Sequence, residues 1–256
     1  MSHHRALDTF GRSGNPVMSD STFSGIKTTS DKTMTLEGTV NKTGILLFLL
    51  ILAATYPWNL FFQSGNPSAV IPITLIGGIG GFIVAIITTF KKNWAPYTAP
   101  IYAVLEGLLL GGISAIFEAQ YPGIVIQATG LTFGTLASLL MLYKFGIIKP
   151  TENFRLMIVS ATMGIGILYF ISFIMNLFGS TGIGFIHSNG IFGIGFSLFV
   201  VAIAALNLVL DFDFIEQGSE QNAPKYMEWF GAFSLMVTLI WLYLEILRLL
   251  AKLRSR

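Results

Sequence analysis

There is no cysteine in the 256 residues. That excludes disulfides, a thiolate nucleophile and any cysteine-ligated metal. Charge is scarce as well: 11% of the residues are Asp, Glu, Lys or Arg, against about 25% in an ordinary soluble domain. Histidine is limited to His3, His4 and His187, the first two in a polar tail and the third in a connection. A zinc hydrolase needs several histidines or acids converging on one ion, and those ligands are missing. A serine protease would need a histidine on a helix facing its serine, and His187 is badly placed to supply it. The basic residues sit at the ends of apolar runs rather than in a patch, so no nucleic-acid surface is expected. These absences lead us to expect neither an enzyme nor a bound cofactor.

What the chain does have is apolar surface. It is 53% hydrophobic, with a mean hydropathy of +0.71, which makes it an integral membrane protein. Its 27 glycines suit helices that pack closely in lipid. Residues 1–43 read as a disordered, cytoplasmic polar tail. They are not a signal peptide, because no apolar core follows the first basic residues. Residues 44–256 then carry seven apolar runs: Gly44 to Phe62, Ala69 to Phe90, Pro100 to Phe117, Ile124 to Tyr143, Leu156 to Phe178, Ile191 to Asp211 and Trp229 to Leu250. Each is long enough to cross ~30 Å of hydrocarbon as a helix. In lipid a helix satisfies its own backbone, so the expected fold is an all-α bundle of seven transmembrane helices. Tyr56-Pro57-Trp58 suits a kink near an interface. Gly77-Gly78-Ile79-Gly80-Gly81 marks a helix able to bend. Gly107-x-x-x-Gly111 and Gly130-x-x-x-Gly134 have the small-residue spacing of close helix packing.

Orientation follows from the loops. Arg5, Arg12, Lys27, Lys32 and Lys42 precede the first run, Lys91 and Lys92 follow the second, and Lys144, Lys149 and Arg155 follow the fourth. Lys225 lies in the sixth connection, while the first, third and fifth hold no Lys or Arg. The positive-inside rule therefore puts the amino terminus in the cytoplasm. Seven crossings then put Arg248, Lys252, Arg254 and Arg256 at an exterior end; the alternative is a re-entrant late segment with both termini inside.

The scarce acids stand out against this background. An acid at the centre of a membrane helix costs roughly +2.5 to +3.5 kcal/mol, and persists when it faces a bundle interior, a partner or water. Asn207 and Asp211 are four apart and share a helix face. Glu245 lies deep in the last run, three residues from Arg248, and either faces the interior or simply pairs with that arginine. Glu106 in the third run is either interior or interfacial, with Ser114 near the same face. Asp213 and Glu216 read as a solvated acidic loop after the sixth crossing.

Leu208-Val-Leu-Asp211-Phe-x-x-Ile215 followed by Leu242-Tyr-Leu-Glu245-Ile-Leu-x-Leu-Leu resembles the signature of the Bax inhibitor-1 family. Thr89-Phe-Lys91-Lys92 extends the resemblance, and Gly14-Asn-Pro-Val-Met-Ser-Asp20 looks like the tail of a bacterial, YccA-like subgroup. The resemblance implies seven helices with the last surrounded by the others, in a bacterial inner membrane. It also implies a pH-sensitive calcium leak, with calcium as permeant ion and no other cofactor. In that family two acids on the sixth and seventh helices share a proton, helped by a basic residue after the second. By motif these map to Asp211, Glu245 and Lys91 or Lys92, with Asp211 and Glu245 as oxygen ligands for calcium. Two close carboxylates in low dielectric resist ionising together, so proton and cation compete for the same atoms. The other reading of the resemblance is a non-conducting regulator that binds another membrane protein, such as a membrane protease.

Overall fold

The computed structural model describes residues 33–179, 183–184 and 188–255. The expectations for the tail up to residue 32 and for His187 lie outside the described residues. Among the described residues, seven helices are long and apolar enough to cross a membrane. They are α1 Leu36–Ser64, α2 Ile71–Phe90, α3 Ala95–Gln120, α4 Ile124–Lys144, α5 Glu152–Leu177, α6 Ile191–Glu220 and α7 Met227–Arg254. No strand is formed among the described residues; Thr33 and Pro224 make an isolated bridge. The last helix is the most buried, with 78% of its apolar stretch covered against 17% to 50% for the others.

The helices outrun the apolar runs. α1 starts at Leu36 rather than Gly44, so residues 36–43 are not tail. Thr35 is its N-cap, accepting from the Gly38 amide at 3.0 Å, and Glu37 favours the positive end of the helix dipole. The helix continues through Pro57 to Gly65, whose left-handed backbone (φ 63°) lets its amide close on Phe61 at 2.9 Å. At the other end of the chain, α6 runs nine residues beyond Asp211, to Glu220. Asp213 and Glu216 are therefore helical rather than a solvated loop. Asp213 forms an ion pair with Arg155 of α5, which supplies the charge that keeps it there.

The chain forms two compact units. One consists of residues 33–125 with Ile215–Val237. In it α3 packs against both α1 and α2 through glycines. A Cβ on Gly77 would lie 2.6 Å from the Leu105 carbonyl and 2.7 Å from the Leu109 amide, so the cluster expected to bend serves contact with α3 instead. Gly107 faces the Leu50 carbonyl and the Ala53 methyl, and Gly111 the Ala54 carbonyl. By contrast, a Cβ on Gly130 or Gly134 would meet nothing within 4 Å, so among the described residues the second small-residue pair makes no close helix contact. Gly107→Ala is thus expected to destabilise the protein by about 1 to 3 kcal/mol through overpacking. Gly130→Ala should be neutral or gain up to about 1 kcal/mol from helix propensity. Thermal unfolding of the two variants in detergent measures the contrast.

The other unit consists of Ile126–Phe214 with Thr238–Arg256. Its core is apolar: Ile158, Val159 and Ile165 of α5 meet Val200, Ile203 and Leu210 of α6, and Trp241 of α7 packs on them. This core leaves one face of α6 and one of α7 for polar side chains.

Candidate functional site

Thr238, Glu245 and Lys252 recur every seven residues of α7 and so share a face. Ser197, Ala204 and Asp211 do the same on α6. Two hydrogen bonds fix how these faces meet. The Thr238 hydroxyl donates to Asp211 Oδ2 at 2.6 Å, and Lys252 Nζ donates to Ser197 Oγ at 2.8 Å. These contacts lie fourteen residues apart on each antiparallel helix, so the register also sets Ala204 against Glu245. Alanine leaves room there for a carboxylate. The result is a seam of buried polar groups in otherwise lipid-compatible helices.

Asp211 is fully buried, and so is Asn207 one turn before it. The Asn207 amide donates to Thr162 Oγ1 at 2.8 Å and to the Ile203 carbonyl at 2.9 Å. Its Oδ1 is buried with no hydrogen-bond partner among the described residues. A buried acceptor left unsatisfied costs about 1 to 3 kcal/mol, which makes this oxygen the least explained atom of the seam.

Glu245 is buried too, but at a different level. Its carboxylate takes Arg248 Nη1 at 2.8 and 2.9 Å and the Tyr169 hydroxyl at 3.0 Å. Arg248 also donates to the Tyr169 oxygen at 3.0 Å and lies over the ring, 5.5 Å from its centroid. Seven residues separate Thr238 from Glu245, about 10 Å along the helix. The motif-based expectation that Asp211 and Glu245 form one carboxylate pair needs correcting accordingly: Asp211 meets a threonine, and Glu245 sits two turns away with a local cation. Nor do the described residues bring three acids or histidines together at either acid.

The supporting residues are dispersed. Glu106 is interior rather than interfacial: it is buried on α3, hydrogen-bonded to Tyr102 and facing Gly81 of α2. Ser114 is buried on the same helix. Lys91 caps the end of α2, and Lys92 lies over the Phe230 ring, 5.7 Å from its centroid. Asp213 belongs to the Arg155 pair.

The sequence reading missed Glu228. Its side chain is wholly buried and accepts from the Thr35 amide at 2.9 Å, the Thr35 hydroxyl at 2.8 Å, Lys225 at 2.7 Å and Lys42. It resembled a loop charge because Lys225 precedes it by three residues, while its other partners lie nearly two hundred positions away.

The model of the family described as "Bax inhibitor 1 like" matches residues 15–255. The chain belongs to that family. No curated protein and no solved structure matches it significantly. The family match covers every helix of this Bax inhibitor 1-like protein, including both motifs, Leu208 to Ile215 and Leu242 to Leu250. It assigns no partner to Asp211 or Glu245, and the register above comes from the hydrogen bonds alone.

Proposed function

We propose that this Bax inhibitor 1-like protein is a pH-sensitive cation leak of a bacterial inner membrane, with calcium as a permeant ion and Asp211 as the group that binds it. The observation that carries the reading is the orphaned Asn207 Oδ1 one turn from the buried Asp211 carboxylate. Calcium is bound by oxygens, commonly carboxylate and amide carbonyl. Asp211, Asn207 Oδ1 and the Thr238 hydroxyl supply that donor set on one seam. A proton on Asp211 removes the charge that attracts the cation, so proton and calcium compete for one carboxylate. Flux accordingly rises as pH climbs from acid towards neutral. This mechanism needs no second acid beside Asp211, in contrast to a shared-proton pair.

Asn207→Asp adds a charged oxygen to the set. It should tighten calcium binding about tenfold, or 1.4 kcal/mol, read as a larger calcium-induced rise in melting temperature. Unchanged affinity would remove Asn207 from the site and the reading with it. Orientation is tested separately. Single cysteines at Ser21 and Ser255 face no native thiol, and in intact cells an impermeant reagent should label only Ser255→Cys. Labelling at both ends or at neither would contradict a cytoplasmic amino terminus with seven crossings.

A further inference from the structure

An acid in the last turn of a helix opposes the helix dipole, so Glu118, in the last turn of α3, needs a reason to be there. Part of it is local. Gly123, whose φ of 82° turns the chain back, donates its amide to Glu118 Oε1 at 2.5 Å, and Val125 donates to Oε2 at 3.0 Å. One bond on each oxygen leaves about half of a carboxylate's acceptor sites unused. No Lys or Arg pairs with Glu118 among the described residues, and the connections at residues 65–70 and 121–123 contain neither. Glu118 lines, with Trp58, Phe62, Ala119 and Pro122, an open cleft of about 640 Å³. Trp58 and Phe62 come from the last two turns of α1, their rings 5.1 Å apart and tilted by 51°. Trp58 is held there by packing on Phe61, Val70 and Ala115.

We propose that this cleft binds the primary ammonium of a phospholipid headgroup, of the ethanolamine kind. Aromatic faces attract a cation through their quadrupole, and the carboxylate supplies the opposite charge together with unused acceptor sites. Those sites favour an ammonium that still carries N–H donors over a quaternary one, which offers Glu118 no hydrogen bond. An anionic headgroup brings charge of the same sign as Glu118, and finds no Lys or Arg among the residues lining the cleft to offset it. The ends of membrane helices, where tryptophan concentrates, lie at headgroup level, so lipid amines reach the cleft at high local concentration. The lipid's own phosphate stays hydrated at the surface. This site needs neither Asp211 nor calcium, and stands or falls apart from the leak.

The experiment follows the melting temperature of the full chain in detergent as phosphatidylethanolamine, phosphatidylcholine or phosphatidylglycerol with the same acyl chains is added. A lipid that binds the folded state raises that temperature, and the midpoint of the rise gives an apparent affinity. Phosphatidylethanolamine should bind about tenfold more tightly than either of the others, the size of one hydrogen bond to a charged group. Glu118→Gln should erase that preference. Trp58→Leu should weaken phosphatidylethanolamine about threefold and leave phosphatidylglycerol unchanged. Because lipids are compared within one protein, a lower starting stability from the lost Glu118 bonds does not imitate either result. Equal affinities for the three lipids in wild type would mean ordinary boundary lipid and would overturn the site. So would an ethanolamine preference that survives both substitutions. Free ethanolamine acting as strongly as the lipid at equal concentration would overturn the lipid as occupant and put a soluble amine in its place.

Discussion

Asp211→Asn should cut calcium uptake into liposomes by about tenfold or more and abolish most of its dependence on pH. The substitution keeps volume and hydrogen-bonding capacity, so the Thr238 hydroxyl retains an oxygen to donate to. What disappears is the charge, and with it both the electrostatic attraction for a hard cation and the proton that competes for the same atoms. A tenfold loss corresponds to 1.4 kcal/mol, modest for a fully buried ligand. Glu245→Gln gives the contrast. Its carboxylate is occupied by Arg248 and Tyr169, so Glu245→Gln should leave the pH response in place. Combined with Asp211→Asn, Glu245→Gln should act additively, since about 10 Å of helix separates the two acids. Strong non-additivity would bring back the shared-proton pair.

The largest stability effect is expected at Glu228. Removing one partner of a buried ion pair typically costs about 3 to 5 kcal/mol, because the remaining charge and donors lose their acceptor. Here Glu228→Ala would strand Lys42, which is 17% exposed, while Lys225, at 47%, can turn to solvent. The Thr35 amide and hydroxyl lose their acceptor as well. We expect a loss of about 3 kcal/mol, or roughly 6 to 12 °C in melting temperature for a chain of this size. Glu228→Gln should cost less, since the amide oxygen still accepts. Gly38 lies directly against this carboxylate, and a Cβ there would displace it, so Gly38→Ala should share part of the loss. Because these residues tie the start of α1 to the start of α7, Glu228→Ala should lower stability without altering the pH response that Asp211 sets. A change of less than 1 kcal/mol would mean the four contacts contribute little.

How much of this was legible in the residues depends on what kind of information each feature needs. Seven helices follow from hydropathy, since backbone groups in lipid leave few alternatives. Helix ends were harder: α1 gains residues 36–43 because Thr35 caps it, and α6 gains Phe212 to Glu220 because Arg155, far away in sequence, neutralises Asp213. Periodicity correctly put Asn207 with Asp211, and Glu245 with Arg248. It could not give the level at which α6 meets α7. Thr238, Glu245 and Lys252 share a face, so sliding the pairing by two turns preserves every facial relation while exchanging Asp211's partner. The motif favoured Glu245, and the Thr238 hydrogen bond decides for the other register. Glu228 was illegible for a different reason. Its burial depends on Thr35 and Lys42 arriving from the opposite end of the chain, and nothing local announces that.

Calcium uptake into sealed liposomes containing only this protein, followed from acid to neutral pH, tests whether the protein conducts and whether Asp211 governs it. Uptake that rises with pH in wild type and is nearly flat in Asp211→Asn is the expected result. Correctly folded wild-type protein that admits no calcium at any pH would contradict the leak and favour a regulator acting through another membrane protein.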